Sequence, residues 1–112
     1  MGNRLEELQA FLKENPNDPF LKYAITMEYN KSGDAEKTLA GFQDLQLHHP
    51  EYVGTYYHFA KFLEAQGKKE EALYIYQAGM EVAQQQRNRH AYNELSGAYN
   101  MARGLDEDDW DD

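Results

Sequence analysis

The segments Gly33-Asp34-Ala35-Glu36-Lys37-Thr38-Leu39-Ala40-Gly41-Phe42 and Gly67-Lys68-Lys69-Glu70-Glu71-Ala72-Leu73-Tyr74-Ile75-Tyr76 begin 34 residues apart, and they decide the fold. Gly33 falls on Gly67, Glu36 on Glu70, Leu39 on Leu73 and Phe42 on Tyr76. The same shift carries outward: Pro16 falls on Pro50, Ile25 on Phe59, Leu5 on Leu39 and Leu8 on Phe42. Turn residues match turn residues and apolar residues match apolar ones, so the spacing is a structural period and not a chance identity.

Within each period the apolar residues recur every three or four positions, which is the periodicity of a helix with one buried face. Gly33 and Gly67 divide each period in two, because glycine readily takes the left-handed conformation that ends a helix. Asp34 is placed to cap the helix that follows. Pro16, Pro19 and Pro50 mark the remaining boundaries, since proline lacks an amide proton and is tolerated at a helix start or beyond its end. Each period therefore reads as a helical hairpin, with helices over about 3–14, 18–32, 34–48, 52–66, 68–86 and 88–103.

This divides the chain into a repeat domain at 1–103 and an acidic tail at 104–112. Inside the domain stand an N-terminal half-repeat helix (3–14), a first repeat (18–50), a second repeat (52–86) and a capping helix (88–103). The capping helix carries Ala91, Leu95, Ala98 and Ala102 as a narrow apolar stripe. Terminal helices of this kind are expected, because a stacked repeat cannot bury its own outer face.

The composition narrows the classes of function. The net charge is −9, yet six of the 20 acids lie in the final seven residues, Asp106-Glu107-Asp108-Asp109-Trp110-Asp111-Asp112. The rest carries 14 acids against 11 bases, so the acidity belongs to a tail expected to be solvated and disordered by its own repulsion. A chain so charged is not expected to bind nucleic acid. There is no cysteine, which permits a reducing cytoplasm, and no apolar run long enough to span a bilayer. The opening Met1-Gly2 lacks the Ser or Thr that a myristoylation signal wants, because Glu6 stands in its place.

The chain resembles the tetratricopeptide repeat family, whose 34-residue helical hairpins stack into a right-handed superhelix. Tyr56, Phe59, Ala60, Leu63, Gly67, Ala72 and Tyr76 of the second repeat match that family's large, small, turn and aromatic positions. The first repeat supplies Ile25, Tyr29, Gly33, Phe42 and Pro50, but has Lys22 where a bulky residue is usual and Thr26 and Thr38 where small ones are. How the first hairpin packs around those three residues is left open by the sequence.

The resemblance implies an all-α fold of about six helices and a concave groove, lined by the first helix of each hairpin, that holds a peptide or helix of a partner protein. Carrying the family's groove positions over gives Phe20, Tyr23, Met27, Asn30 and Lys31 from the first repeat. The second gives Gly54, Tyr57, His58, Lys61 and Glu64. Independently of the family, the helices at 18–32 and 52–66 carry more apolar and aromatic surface than one inward stripe can use. Tyr23, Met27 and Tyr57 are the candidates for what remains; each either faces a partner or packs neighbouring repeats. Some family members clamp a terminal carboxylate with Lys and Asn, whereas this chain has Tyr23, Met27 and His58 at the corresponding places, so no such clamp is expected.

No constellation for catalysis is visible. There is no phosphate loop, nucleophile motif or metal-ligand run, and neither a cofactor nor a metal is expected. His48 and His49 point about 100° apart on a helix and are expected near its C-terminal dipole. His90 and Glu94 are four apart, which is a weak pattern for a metal; a metal-dependent enzyme is the remote alternative. The nearer alternative is a self-associating repeat unit that forms a homo-oligomer through a terminal helix. Trp110 either serves in a merely solubilising tail or docks in a groove.

Overall fold

The computed structural model describes residues 3–104; Trp110 and the acidic run around it lie outside the described residues. Six helices follow one another: α1 (Arg4–Glu14), α2 (Pro19–Ser32), α3 (Ala35–His48), α4 (Gly54–Ala65), α5 (Lys69–Gln85) and α6 (Arg89–Arg103). They group into two compact units, the first ending at Tyr52 and the second beginning at Val53.

In the first unit the helix ends are set by local chemistry. The Asn3 carboxamide accepts the Glu6 amide at 2.8 Å, and the Asp18 carboxylate accepts the amides of Phe20 and Leu21, with Pro19 in the first turn. Gly33 ends α2 at φ 85°, and the Asp34 amide reaches back to the Tyr29 carbonyl at 3.0 Å. Asp34 then accepts the Lys37 amide and starts α3, as its position after the glycine implies. Helices α1 and α2 close around Leu8, Leu21, Ala24 and Ile25, with Leu5, Leu12 and Tyr29 packed against them. Each large side chain buried here contributes about 1.5–3 kcal/mol.

The α2–α3 contact shows how the three irregular residues of this hairpin are accommodated. Thr26 and Thr38 are buried, and each hydroxyl donates to the carbonyl four residues earlier, Lys22 and Asp34 respectively. Neither polar atom is left without a partner, so the usual penalty for burying a hydroxyl is avoided. The extra bulk of Thr26 is met by Gly41 on α3, which leaves room for it. In the second repeat the two sizes are exchanged: Ala60 stands at the place of Thr26, and Ile75 at the place of Gly41. Lys22 buries most of its stem and sends its ammonium to Asp44 at 3.1 Å.

The second unit packs α4 on α5 and α5 on α6. Tyr56 lies over Gly79, where an added Cβ would come within 2.5 Å of the Tyr56 Cβ and 3.2 Å of the Leu95 side chain. Close backbone approach thus brings α4 and α6 onto the same stretch of α5. Ala60, Leu63, Ala72, Tyr76, Ala83 and Leu95 complete the interior. Gly67 at φ 79° ends α4, and the Lys68 amide returns to the Leu63 carbonyl at 2.9 Å. Helix α6 buries Leu95 and Ala98 of its apolar stripe, and Asn88 caps its start by accepting the Ala91 amide. Among the described residues, no helix is long and apolar enough to cross a membrane.

Candidate partner-binding faces

Phe20, Tyr23, Met27, Asn30 and Lys31 follow the three-and-four spacing that sets residues on one face of α2. Phe20 is 54% exposed, Tyr23 and Met27 are half-buried, and Asn30 and Lys31 are exposed. The face thus runs from an aromatic end to a polar one. Its aromatic end is extended by a residue that the periodic pattern does not single out. The Tyr52 ring lies 6.0 Å from the Tyr23 ring at 54°. The phenol of Tyr23 is held above its ordinary range first by burial and then by Tyr52. That of Tyr52 is raised by burial and then by the Asp18 carboxylate. Both hydroxyls stay neutral and able to donate.

On α4 the corresponding residues are Gly54, Tyr57, His58, Lys61 and Glu64. Tyr57 meets the His58 ring edge-on at 5.3 Å, and the Lys61 ammonium lies 5.7 Å from the centre of the Tyr57 ring. Tyr57 and His58 are half-buried, whereas Lys61 is exposed. Burial lowers the His58 pKa, and the Glu94 carboxylate on α6 opposes that shift. Glu94 is far from His58 in sequence, so only the packing of the helices reveals the pair. Glu64 differs from its neighbours. It accepts a hydrogen bond from the buried Tyr76 hydroxyl of α5, which ties part of its carboxylate to the hairpin. Burial, then Glu64, drives the Tyr76 phenol far above its ordinary value.

His48 and His49 have local partners. His48 Nδ1 stands 2.9 Å from the Asp44 carboxylate, which Lys22 also approaches. His49 ends α3, its amide donating to the Leu45 carbonyl, and its Nδ1 is 3.9 Å from Glu51. His90 and Glu94 gain no third ligand: no group of three His, Cys, Asp or Glu able to hold a metal occurs among the described residues.

No protein-family profile matches the chain, and no curated protein matches it. Solved structures do. The solution structure of a tetratricopeptide repeat domain protein from Salinibacter ruber is 39% identical, covers 80% of this chain and 91% of its own, and superposes with a TM-score of 0.77. The crystal structure of a tetratricopeptide repeat domain protein from the same organism, also 39% identical, covers 79% of this chain and 99% of its own at a TM-score of 0.74. A protein from Bordetella parapertussis shares the fold over 95% of this chain and 92% of its own, with 20% identity and a TM-score of 0.79. With these likenesses and its 34-residue helical hairpins, the chain belongs to the tetratricopeptide repeat family and is a helical-repeat module of the kind that mediates protein interaction.

Proposed function

We propose that the faces of α2 and α4 receive a peptide or an amphipathic helix of a partner protein. The observation that carries this reading is the unspent aromatic surface on α2: Phe20 remains 54% exposed beside the half-buried Tyr23 and Met27. Rings with polar tips and a flexible thioether suit a surface that must adapt to apolar side chains of a ligand. On α4, Tyr57, His58 and Lys61 supply an aromatic body with a cationic edge. Asn30 and Lys31 on α2, and Lys61 on α4, would each orient a ligand on their own face through polar contacts, while Glu64 supports its hairpin through Tyr76.

The test is affinity capture from native lysate with the wild type beside the Tyr23→Ala/Tyr57→Ala variant, after circular dichroism has shown equal helicity. A partner held by the wild type and lost from the variant supports the reading. Equal retention moves the site away from these faces. Light scattering against concentration, run on the same samples, identifies the alternative of self-association by a rise in mass with concentration.

A further inference from the structure

The chain has four arginines, and they fall into two classes. Arg4 approaches Glu28 at 3.5 Å, and the Arg103 guanidinium lies 5.1 Å from the centre of the Tyr99 ring. Arg87 and Arg89 meet neither a carboxylate nor an aromatic face among the described residues. They line a cleft of about 460 Å³ at the turn between α5 and α6, together with Gln84, Asn88, Tyr92 and Asn93. The lining residues include two arginines, a tyrosine and three residues with carboxamides, of which Asn88 caps α6, and none is acidic. Both arginines are exposed, and in a chain of net charge −9 two cations at one turn without a carboxylate partner among the described residues are a local excess of donors.

The backbone adds a second observation. Arg87 has φ 58° and is the one residue other than glycine with positive φ among the described residues. It closes α5 as Gly33 and Gly67 close α2 and α4: the Asn88 amide returns to the Ala83 carbonyl at 2.9 Å. Glycine serves this turn without steric conflict, whereas the Cβ of an arginine crowds the following carbonyl. An arginine at this turn therefore costs local stability relative to glycine.

We infer that this cleft binds an anionic oxygen group, a carboxylate or a phosphate, gripped by Arg87 and Arg89. Guanidinium presents paired N–H donors that match two oxygens of either group. Tyr92 and the carboxamides of Gln84 and Asn93 complete the donor set. The site shares no residue with the faces of α2 and α4 and does not depend on their role.

The experiment follows the arginine Nε–H signals of the full chain by NMR. Inorganic phosphate is titrated in one series and acetate in another, at ionic strength held constant with chloride. Arg87 and Arg89 are expected to shift along a saturable curve, while Arg4 and Arg103 do not. Arg89→Gln is expected to weaken binding of the preferred anion at least tenfold. Arg87→Gly is expected to weaken it similarly while raising the melting temperature, which separates loss of the ligand site from loss of the fold. Tighter binding of phosphate identifies a phosphate site, and tighter binding of acetate a carboxylate site; either supports the inference. Non-saturating shifts of equal size at all four arginines, or unchanged affinity in both variants, would overturn it.

Discussion

Thr26 of α2 fills the space that a side chain on Gly41 of α3 would need. A Cβ placed on Gly41 would stand 3.0 Å from both the Cβ and the Cγ2 of Thr26, and closer still to its hydroxyl oxygen. Thr26 cannot retreat, because it is β-branched, buried and bonded to the Lys22 carbonyl at 2.8 Å. Gly41→Ala should therefore destabilise the protein by ~1–2 kcal/mol despite alanine's better helix propensity. Adding Thr26→Ala should recover most of that loss, and urea denaturation of the two single variants and the double variant measures the coupling. Additive losses would mean that the two helices are not in register at this point.

The helix-ending glycines give a prediction of another kind. Gly33 and Gly67 have φ of 85° and 79°, and an added Cβ at either meets nothing within 4 Å. Any loss on substitution is then conformational and not steric. Gly33→Ala and Gly67→Ala should each cost ~1 kcal/mol, and Gly67→Asn less, because asparagine tolerates this conformation better. Thermal unfolding checks the ranking. Equal melting temperatures for Ala and Asn at position 67 would contradict it.

These two cases mark what was legible in the sequence. The 34-residue period, the dividing glycines and the Asp34 cap are local or strictly repeating signals, and the structure shows φ 85° and 79° at Gly33 and Gly67 and the Asp34 carboxylate on the Lys37 amide. What the period could not show is exchange of volume between facing helices. Thr26 looks like a fault until Gly41 is placed beside it, and Lys22 until Asp44 accepts its ammonium. The candidate faces divide in the same way. Phe20, Tyr23 and Met27 share a face by spacing alone, but Tyr52 against Tyr23, Tyr76 on Glu64 and Glu94 near His58 join residues from different elements. No local pattern encodes such pairs, because they depend on how the helices cross.

The Tyr76 hydroxyl predicts the alkaline limb of stability. Its pKa is raised above the ordinary 10.0, and Tyr23 and Tyr52 shift in the same direction. A phenol that keeps its proton more firmly when folded contributes stability that is complete below the unfolded value and fades as pH climbs towards the folded one. The melting temperature should therefore fall above pH ~10, where the unfolded chain loses protons that the native state retains. Tyr76→Phe should cost ~1 kcal/mol at neutral pH, through the lost bond to Glu64, and should flatten that alkaline fall. An equally steep fall in the variant would assign the alkaline limb to other groups.

His58 makes the opposite prediction on the acid side. Burial lowers its pKa below the ordinary 6.5, and the Glu94 carboxylate limits how far. The folded protein thus binds a proton at His58 less readily than the unfolded chain. The stability linked to this residue is complete above pH ~6.5 and declines as the pH drops towards the folded pKa. Titration of the imidazole by NMR should give a value under 6.5, and Glu94→Gln should depress it further by removing the opposing charge. His58→Gln should flatten stability across the same window. At a pH where the imidazole charges, the α4 face would carry a second cation beside Lys61, so an apolar ligand on Tyr57 should bind more weakly as His58 protonates. A pKa at or above 6.5, or one indifferent to Glu94→Gln, would remove both the acid limb and the pH response of this face.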